Sequence, residues 1–333
     1  MGIRDTIASD QRASQRMGTQ TETQFVESVC VPLLCSTQNP DGGWGFHPRS
    51  ESRPEPTCWA LQALLQHSWP EIPEAAVRGF RFVRETQLGD GAWPSARAEQ
   101  VGCWVTALAC WVLLAEKNSS NAVARGLDWL CKDWPRDSTP WRRFLGRFSS
   151  QRRIFPTNNS YRGWGWTPGT SSWVEPTAIA LLAFSECPSE LFPPAAARRR
   201  ELAEAMLRDR MCPGGGWNCG NPLVYGVAGE PLIIPTVWAL LALRNQPERR
   251  ENVLSLEWLE KSVANIQGPG SFALARLCLE AYGRMWPNNA PEFRSLHQRN
   301  EFLENIQVVA WTCLALSGKR QFLPVGLPRE RAS

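Results

Sequence analysis

The chain has 333 residues, 43% of them apolar, and its 36 basic and 32 acidic side chains leave a formal net charge of +4. With a mean hydropathy of −0.32, this is a globular profile, not that of a disordered or membrane-spanning chain. A charge so small and dispersed, with no base-reading motif, speaks against a nucleic-acid partner.

In chain order, residues 1–23 are polar and lack the apolar core of a secretory signal, so they are expected to form a loosely ordered tail. From residue 24 a pattern repeats. A helix with one charged face leads into a glycine-rich turn with an aromatic ring, and a strongly apolar helix follows. The turns are QNPDGGWGF at 38–46, QLGDGAWPS at 87–95, YRGWGWTPG at 161–169 and CPGGGWNCG at 212–220. QGPGSF at 267–272 reads as a fifth, degenerate turn with Phe272 at the tryptophan position, and the apolar stretch 308–317 follows no glycine turn. The longest apolar run, 101–115, is shorter than the roughly 18 residues needed to cross a bilayer and reads as a buried helix.

Counting pairs gives helices over about 24–67, 75–116, 121–186, 197–245, 251–283 and 292–318. The first of each pair should face solvent, and the second, apolar nearly all round, should be buried. Six outer and six inner helices in alternation close into a double ring, an all-α (α/α)6 toroid spanning 24–318, with a C-terminal tail at 319–333. The turn tryptophans read as wedges between repeats, with contact to a ligand as the other reading.

A basic insertion interrupts the third pair at about 134–166. Within 141–155, Trp141, Phe144, Leu145 and Phe148 recur at helical spacing among Arg142, Arg143, Arg147, Arg152 and Arg153. Such a helix suits peripheral contact with an anionic membrane, a diphosphate held by Arg142 and Arg143, or a lid packed over the ring with solvated arginines. Five of the eleven cysteines, Cys58, Cys103, Cys110, Cys278 and Cys313, lie within apolar helical patterns. That points to free thiols and a reduced, cytoplasmic compartment.

The Gln-x-x-x-Gly-x-Trp turns, as in Gln38 to Trp44, resemble the repeats of the squalene-hopene cyclase and protein prenyltransferase β-subunit superfamily. The resemblance covers about 24–318 and implies the (α/α)6 toroid and the handling of a lipophilic isoprenoid. Class II cyclases of that superfamily protonate an alkene from an aspartate in a D-x-D-D-T-A string. Matching Thr177-Ala178 to its end puts Glu175 at the proton donor, with Pro176 and Trp173 where two further acids would stand. PEPT at 54–57 carries Glu55 in the same setting.

Glu175 and Glu55 are therefore the catalytic candidates, against the bland reading that an acid beside a proline merely suits a helix start. The inner helices align the two glutamates with Ile234, with Ala310 and, less closely, with Gln100. Acid at the helix start is thus not an absolute need. The resemblance places the substrate in a central cavity among 56–66, 101–115, 176–184 and 235–243. Trp59, Trp104 and Trp238 would shape it, with Trp166 and Trp173 of the turn at 163–173 by its mouth. One ring lacks the second toroid that closes such cavities, so the insertion or a second subunit would have to exclude water.

The prenyltransferase branch implies zinc, but Trp311 stands where its histidine ligand would be and the D-x-C pair is absent. No metal or other cofactor is expected. A non-catalytic lipid-binding or scaffold protein of the same fold is the alternative function.

Overall fold

The computed structural model describes residues 22–68, 70–136, 157–293, 296 and 302–317. The first outer helix runs from a π-helical stretch, Val26–Cys30, into α1, Val31–Ser36. Among the described residues four more outer helices follow: α3 (Ile72–Glu85), α5 (Ser120–Lys132), α7 (Ala196–Asp209) and α9 (Arg250–Ser262). Alternating with them are six inner helices: α2 (Pro54–Leu64), α4 (Val105–Leu113), α6 (Val174–Glu186), α8 (Ile233–Ala242), α10 (Pro269–Ala281) and α11 (Ile306–Leu316).

Burial separates the two rings as the apolar pattern requires. In α3 the buried residues, among them Ile72, Ala75, Ala76, Gly79, Phe80 and Val83, form one stripe. Every residue of α4 is buried, and in α2 every residue but Glu55. The inner helices close on themselves, α2 packing on α4, α4 on α6, α6 on α8, α8 on α10, α10 on α11 and α11 back on α2. The protein is an α/α toroid.

A repeated clamp sets the spacing of the ring. The backbone N–H of Trp44 donates to Thr57 Oγ1 on the following inner helix at 2.9 Å, while its indole Nε1–H donates to Leu34 O on the preceding outer helix at 2.7 Å. Trp93 with Thr106 and Val83 O, Trp164 with Thr177 and Leu130 O, and Trp217 with Thr236 and Leu207 O repeat the arrangement. Gln38 Nε2 and Gln87 Nε2 then tie their turns to the next outer helix, donating to Ala75 O at 2.8 Å and Ala122 O at 2.9 Å. These rings are structural. Gly42 shows why the turn needs glycine: its φ is +88°, and a Cβ there would stand 2.6 Å from Arg78 O.

The clamp also corrects the sequence reading. Phe272 N–H bonds Gly268 O inside the first turn of α10, as Thr57 N–H bonds Arg53 O in α2, so Phe272 occupies the threonine register and not that of a turn tryptophan. The apolar run at 101–115 is helical only from Val105. Before it the chain crosses the turn, where Cys103 N–H bonds Trp93 O and Val101 is exposed. Trp and Thr of the clamp are 13 residues apart in the first three repeats and 19 in the fourth. The longer connection holds a two-stranded hairpin, Leu223–Val224 with Val227–Ala228.

All eleven cysteines are free. No helix among the described residues is long and apolar enough to cross a membrane. The basic stretch 141–155, with Arg142 and Arg143, lies outside the described residues.

Candidate active site

The N-termini of the inner helices share one end of the ring, and their second residues form its rim. Glu55 and Glu175 lie two residues after the N-caps Arg53 and Trp173, and Ile234 two after Leu232. On α10 this position is Gly270, two after Gly268. On α11 it is Gln307, two after Asn305, and not Ala310 as the sequence alignment suggested. Thr312, which prompted that alignment, bonds Val308 O on its own helix, because the last repeat has no tryptophan turn to clamp. On α4 the helix begins later, so that Trp104 is itself the N-cap; it lies two residues ahead of the clamp Thr106, as Glu55 does of Thr57, and takes the rim position in place of Gln100. In ring order the rim therefore reads Glu55, Trp104, Glu175, Ile234, Gly270 and Gln307.

Neither glutamate is a cap in the hydrogen-bonding sense, since no side chain caps α2 or α6. Both sit in the first turn, where the helix dipole favours an anion, yet burial outweighs it. Desolvation pushes Glu55 up to about 7, helped by the nearby charge of Glu175 and opposed by a hydrogen bond from the Gln307 side chain. Glu175 is raised by burial alone. Two carboxyl groups thus share a half-buried rim close enough to feel each other. Neither is offset by a cation among the described residues.

The floor beneath them is aromatic. Trp59 and Trp238 stack at 5.2 Å between ring centroids, and Trp111 and Trp311 meet Trp59 edge-on at 6.2 and 5.8 Å. Trp59, Trp111 and Trp238 are at most 2% exposed and Trp311 is 8% exposed. Trp59 and Trp238, expected to shape the central cavity, thus pack with Trp111 and Trp311 into one buried aromatic cluster among the inner helices. The indole N–H groups of Trp59 and Trp311 are buried there without an acceptor, a costly state for a donor.

Trp104 is half-buried between the two glutamates and meets Trp166 edge-on at 5.2 Å, its backbone N–H donating to Trp166 O at 3.0 Å. Trp173 is also half-buried and caps α6, its N–H bonded to Trp164 O at 2.9 Å. The structure brings two neighbours that the sequence reading missed. Cys219 is exposed beside Glu175, and its carbonyl accepts from Val174 N–H at 3.2 Å. Gln307 was signalled by Asn305, a residue type that marks a helix start two positions earlier. Among the described residues no cluster of three His, Cys, Asp or Glu side chains is arranged to hold a metal.

No family model matches the chain. Human lanosterol synthase is 38% identical to it over 77 residues, 20% of this chain and only 10% of that protein's length. Among solved structures, the type II terpene cyclase MstE from Scytonema, in complex with geranylgeranyl dihydroxybenzoate, superposes with a TM-score of 0.54 at 13% identity, covering 89% of this chain and 79% of that one. The chain has the terpene cyclase-like toroid fold. A protein from Actinoplanes shares this fold with a TM-score of 0.59 at 13% identity, covering 90% and 98% of the two chains. So does the cellobiose 2-epimerase of Spirochaeta thermophila, at 0.56, 13%, 90% and 85%. A terpene cyclase-like toroid thus hosts more than one chemistry, and the site must argue for the reaction.

Proposed function

We propose that the protein is a class II terpene cyclase-like acid catalyst, which isomerises or cyclises a neutral, lipophilic isoprenoid whose reacting end meets the rim at Glu55 and Glu175. One observation carries this reading: the Glu55 carboxyl, raised to about 7 by burial, divides about evenly between acid and carboxylate at neutral pH, beside a second carboxyl and near aromatic faces. General acid catalysis works best with such a match between the acid and the working pH. The donor role therefore moves from Glu175, the sequence candidate, to Glu55.

A carboxyl of this strength is weak towards an unactivated alkene and suits an epoxide or an activated double bond. Glu55 O–H transfers its proton to the substrate as the C–O bond opens or the double bond accepts it. The cation that develops faces the π systems of Trp104 and the floor. Glu175, as the carboxylate, takes a proton from the adjacent carbon to leave a neutral isomer. An oxygen at the reacting end would also offer the orphaned indole N–H groups an acceptor.

The filled floor keeps water out from below. Turnover of epoxidised and plain polyprenyl compounds, followed by mass spectrometry for products of unchanged mass, tests it. Glu55→Gln should lower turnover at least about a hundredfold with the fold intact. Bound lipid recovered without any turnover would instead favour a carrier.

A further inference from the structure

We infer that the lipophilic ligand carries a carbonyl oxygen, bound at the axis of the ring by the indole N–H groups of Trp59 and Trp311, one helical turn below the glutamate rim. The inference rests on the proposed reading for what happens at the rim and adds the class of compound that reaches it.

Register and ring contacts place the two indoles. Trp59, Trp238 and Trp311 lie four residues after the rim positions Glu55, Ile234 and Gln307, on the same helix faces and roughly 6 Å further along. Helices α2 and α8 are opposite members of the inner ring, yet Trp59 stacks on Trp238 at 5.2 Å. These rings therefore reach the axis. Trp311 meets both of them, its centroid 5.8 Å from that of Trp59 and 6.3 Å from that of Trp238.

Hydrogen bonding then separates these indoles from the rest. In the turn tryptophans Trp44, Trp93, Trp164 and Trp217, each Nε1–H donates to a carbonyl of the preceding outer helix at 2.6–2.9 Å. Trp59 is 1% exposed and Trp311 is 8% exposed, and neither Nε1–H has an acceptor in the protein. At their level the other inner helices present Leu108, Ile179 and Leu274, which are hydrocarbon. One turn lower on α2, Gln62 is 3% exposed and carries an acceptor oxygen, but neither indole bonds it, and its own Nε2 lacks an acceptor.

The donors define the ligand group. A glutamine amide can turn either end towards a partner, whereas an indole N–H only donates, so the two indoles decide the chemistry. No basic side chain shares their register on the inner helices. A carboxylate would lose its hydration there without a counter-charge, and a hydroxyl would bring a further donor to a place short of acceptors. A carbonyl oxygen accepts twice and donates nothing. It fits beside aromatic faces, at a depth that leaves the ligand's reacting atoms at the rim.

The test compares geranylacetone, an isoprenoid ketone, with the compound in which a methylene group replaces its carbonyl. Binding is measured by calorimetry, and the indole groups are followed in nitrogen-15 NMR spectra assigned with Trp59→Phe and Trp311→Phe, which keep an aromatic ring and remove the donor. The ketone should bind about tenfold more tightly, as one added hydrogen bond to a buried donor predicts. It should also move the Trp59 and Trp311 indole protons downfield, while the methylene compound leaves them in place. Each phenylalanine variant should reduce the preference. Should a variant fail to fold, the comparison of the two compounds on the unaltered protein still decides. Equal affinities, no binding of either compound, or indole protons already bonded to internal water and unmoved by the ketone would overturn the inference. A preference in a protein that turns over none of the polyprenyl compounds upholds the carbonyl site and refutes the acid catalyst. Turnover without a preference does the reverse.

Discussion

Replacing Glu55 by glutamine should stabilise the protein at alkaline pH and leave its stability almost unchanged in acid. In the unfolded chain this carboxyl ionises near its ordinary value of 4.5, whereas in the fold it ionises at about 7. Below the lower value both states carry the proton and the group imposes no penalty. As pH rises from the lower to the upper value, the unfolded chain releases the proton first and stability falls. Above the upper value the whole penalty is present. At 1.36 kcal/mol per unit, a rise from 4.5 to about 7 corresponds to roughly 3 kcal/mol.

Glutamine has the same shape, can still pair with Gln307, and has no proton to lose. The gain of Glu55→Gln should therefore grow from near zero at about pH 4 to roughly 2–3 kcal/mol at about pH 8. Urea unfolding at several pH values, with the slopes compared, measures it. If the glutamate merely complements the helix dipole, the opposite follows: the variant is less stable at pH 8, by up to about 1 kcal/mol. That result would refute both the buried-acid argument and the function built on it.

Further expectations concern the frame and the rim. Thr177→Val removes the acceptor of Trp164 N–H and leaves a buried donor unpaired, which should cost about 1–3 kcal/mol in urea unfolding. Gly42→Ala forces a side chain to a φ of +88° and against Arg78 O. It should cost about 1–3 kcal/mol, whereas no measurable loss would mean that the turn relaxes freely. Cys219 should be the first of the eleven thiols to react with a maleimide, because the others are buried or half-buried. Since Glu175 opposes its ionisation after burial does, Glu175→Gln should speed that reaction. An unchanged rate would separate the two groups.

The repeat was legible in the sequence because its signals are local. Glycines that permit a tight turn, a tryptophan after them, and a helix apolar all round within some thirteen residues of the turn are set by short-range sterics and by the need to bury one face or all faces. They are enough to predict paired helices and a double ring. The two glutamates were visible for the same reason, as acids placed at the start of otherwise apolar helices.

Ring closure decided the rest. Trp59, Trp111, Trp238 and Trp311 come from four helices spread along the chain, and only the closing of the ring brings them into one cluster. The partnership of Gln307 with Glu55 spans most of the sequence and exists because α11 returns to α2. The raised pKa values of Glu55 and Glu175 likewise belong to neither residue's local sequence. They arise from the desolvation that six converging helices impose on a carboxyl at the rim, which no string of residues around a glutamate encodes by itself.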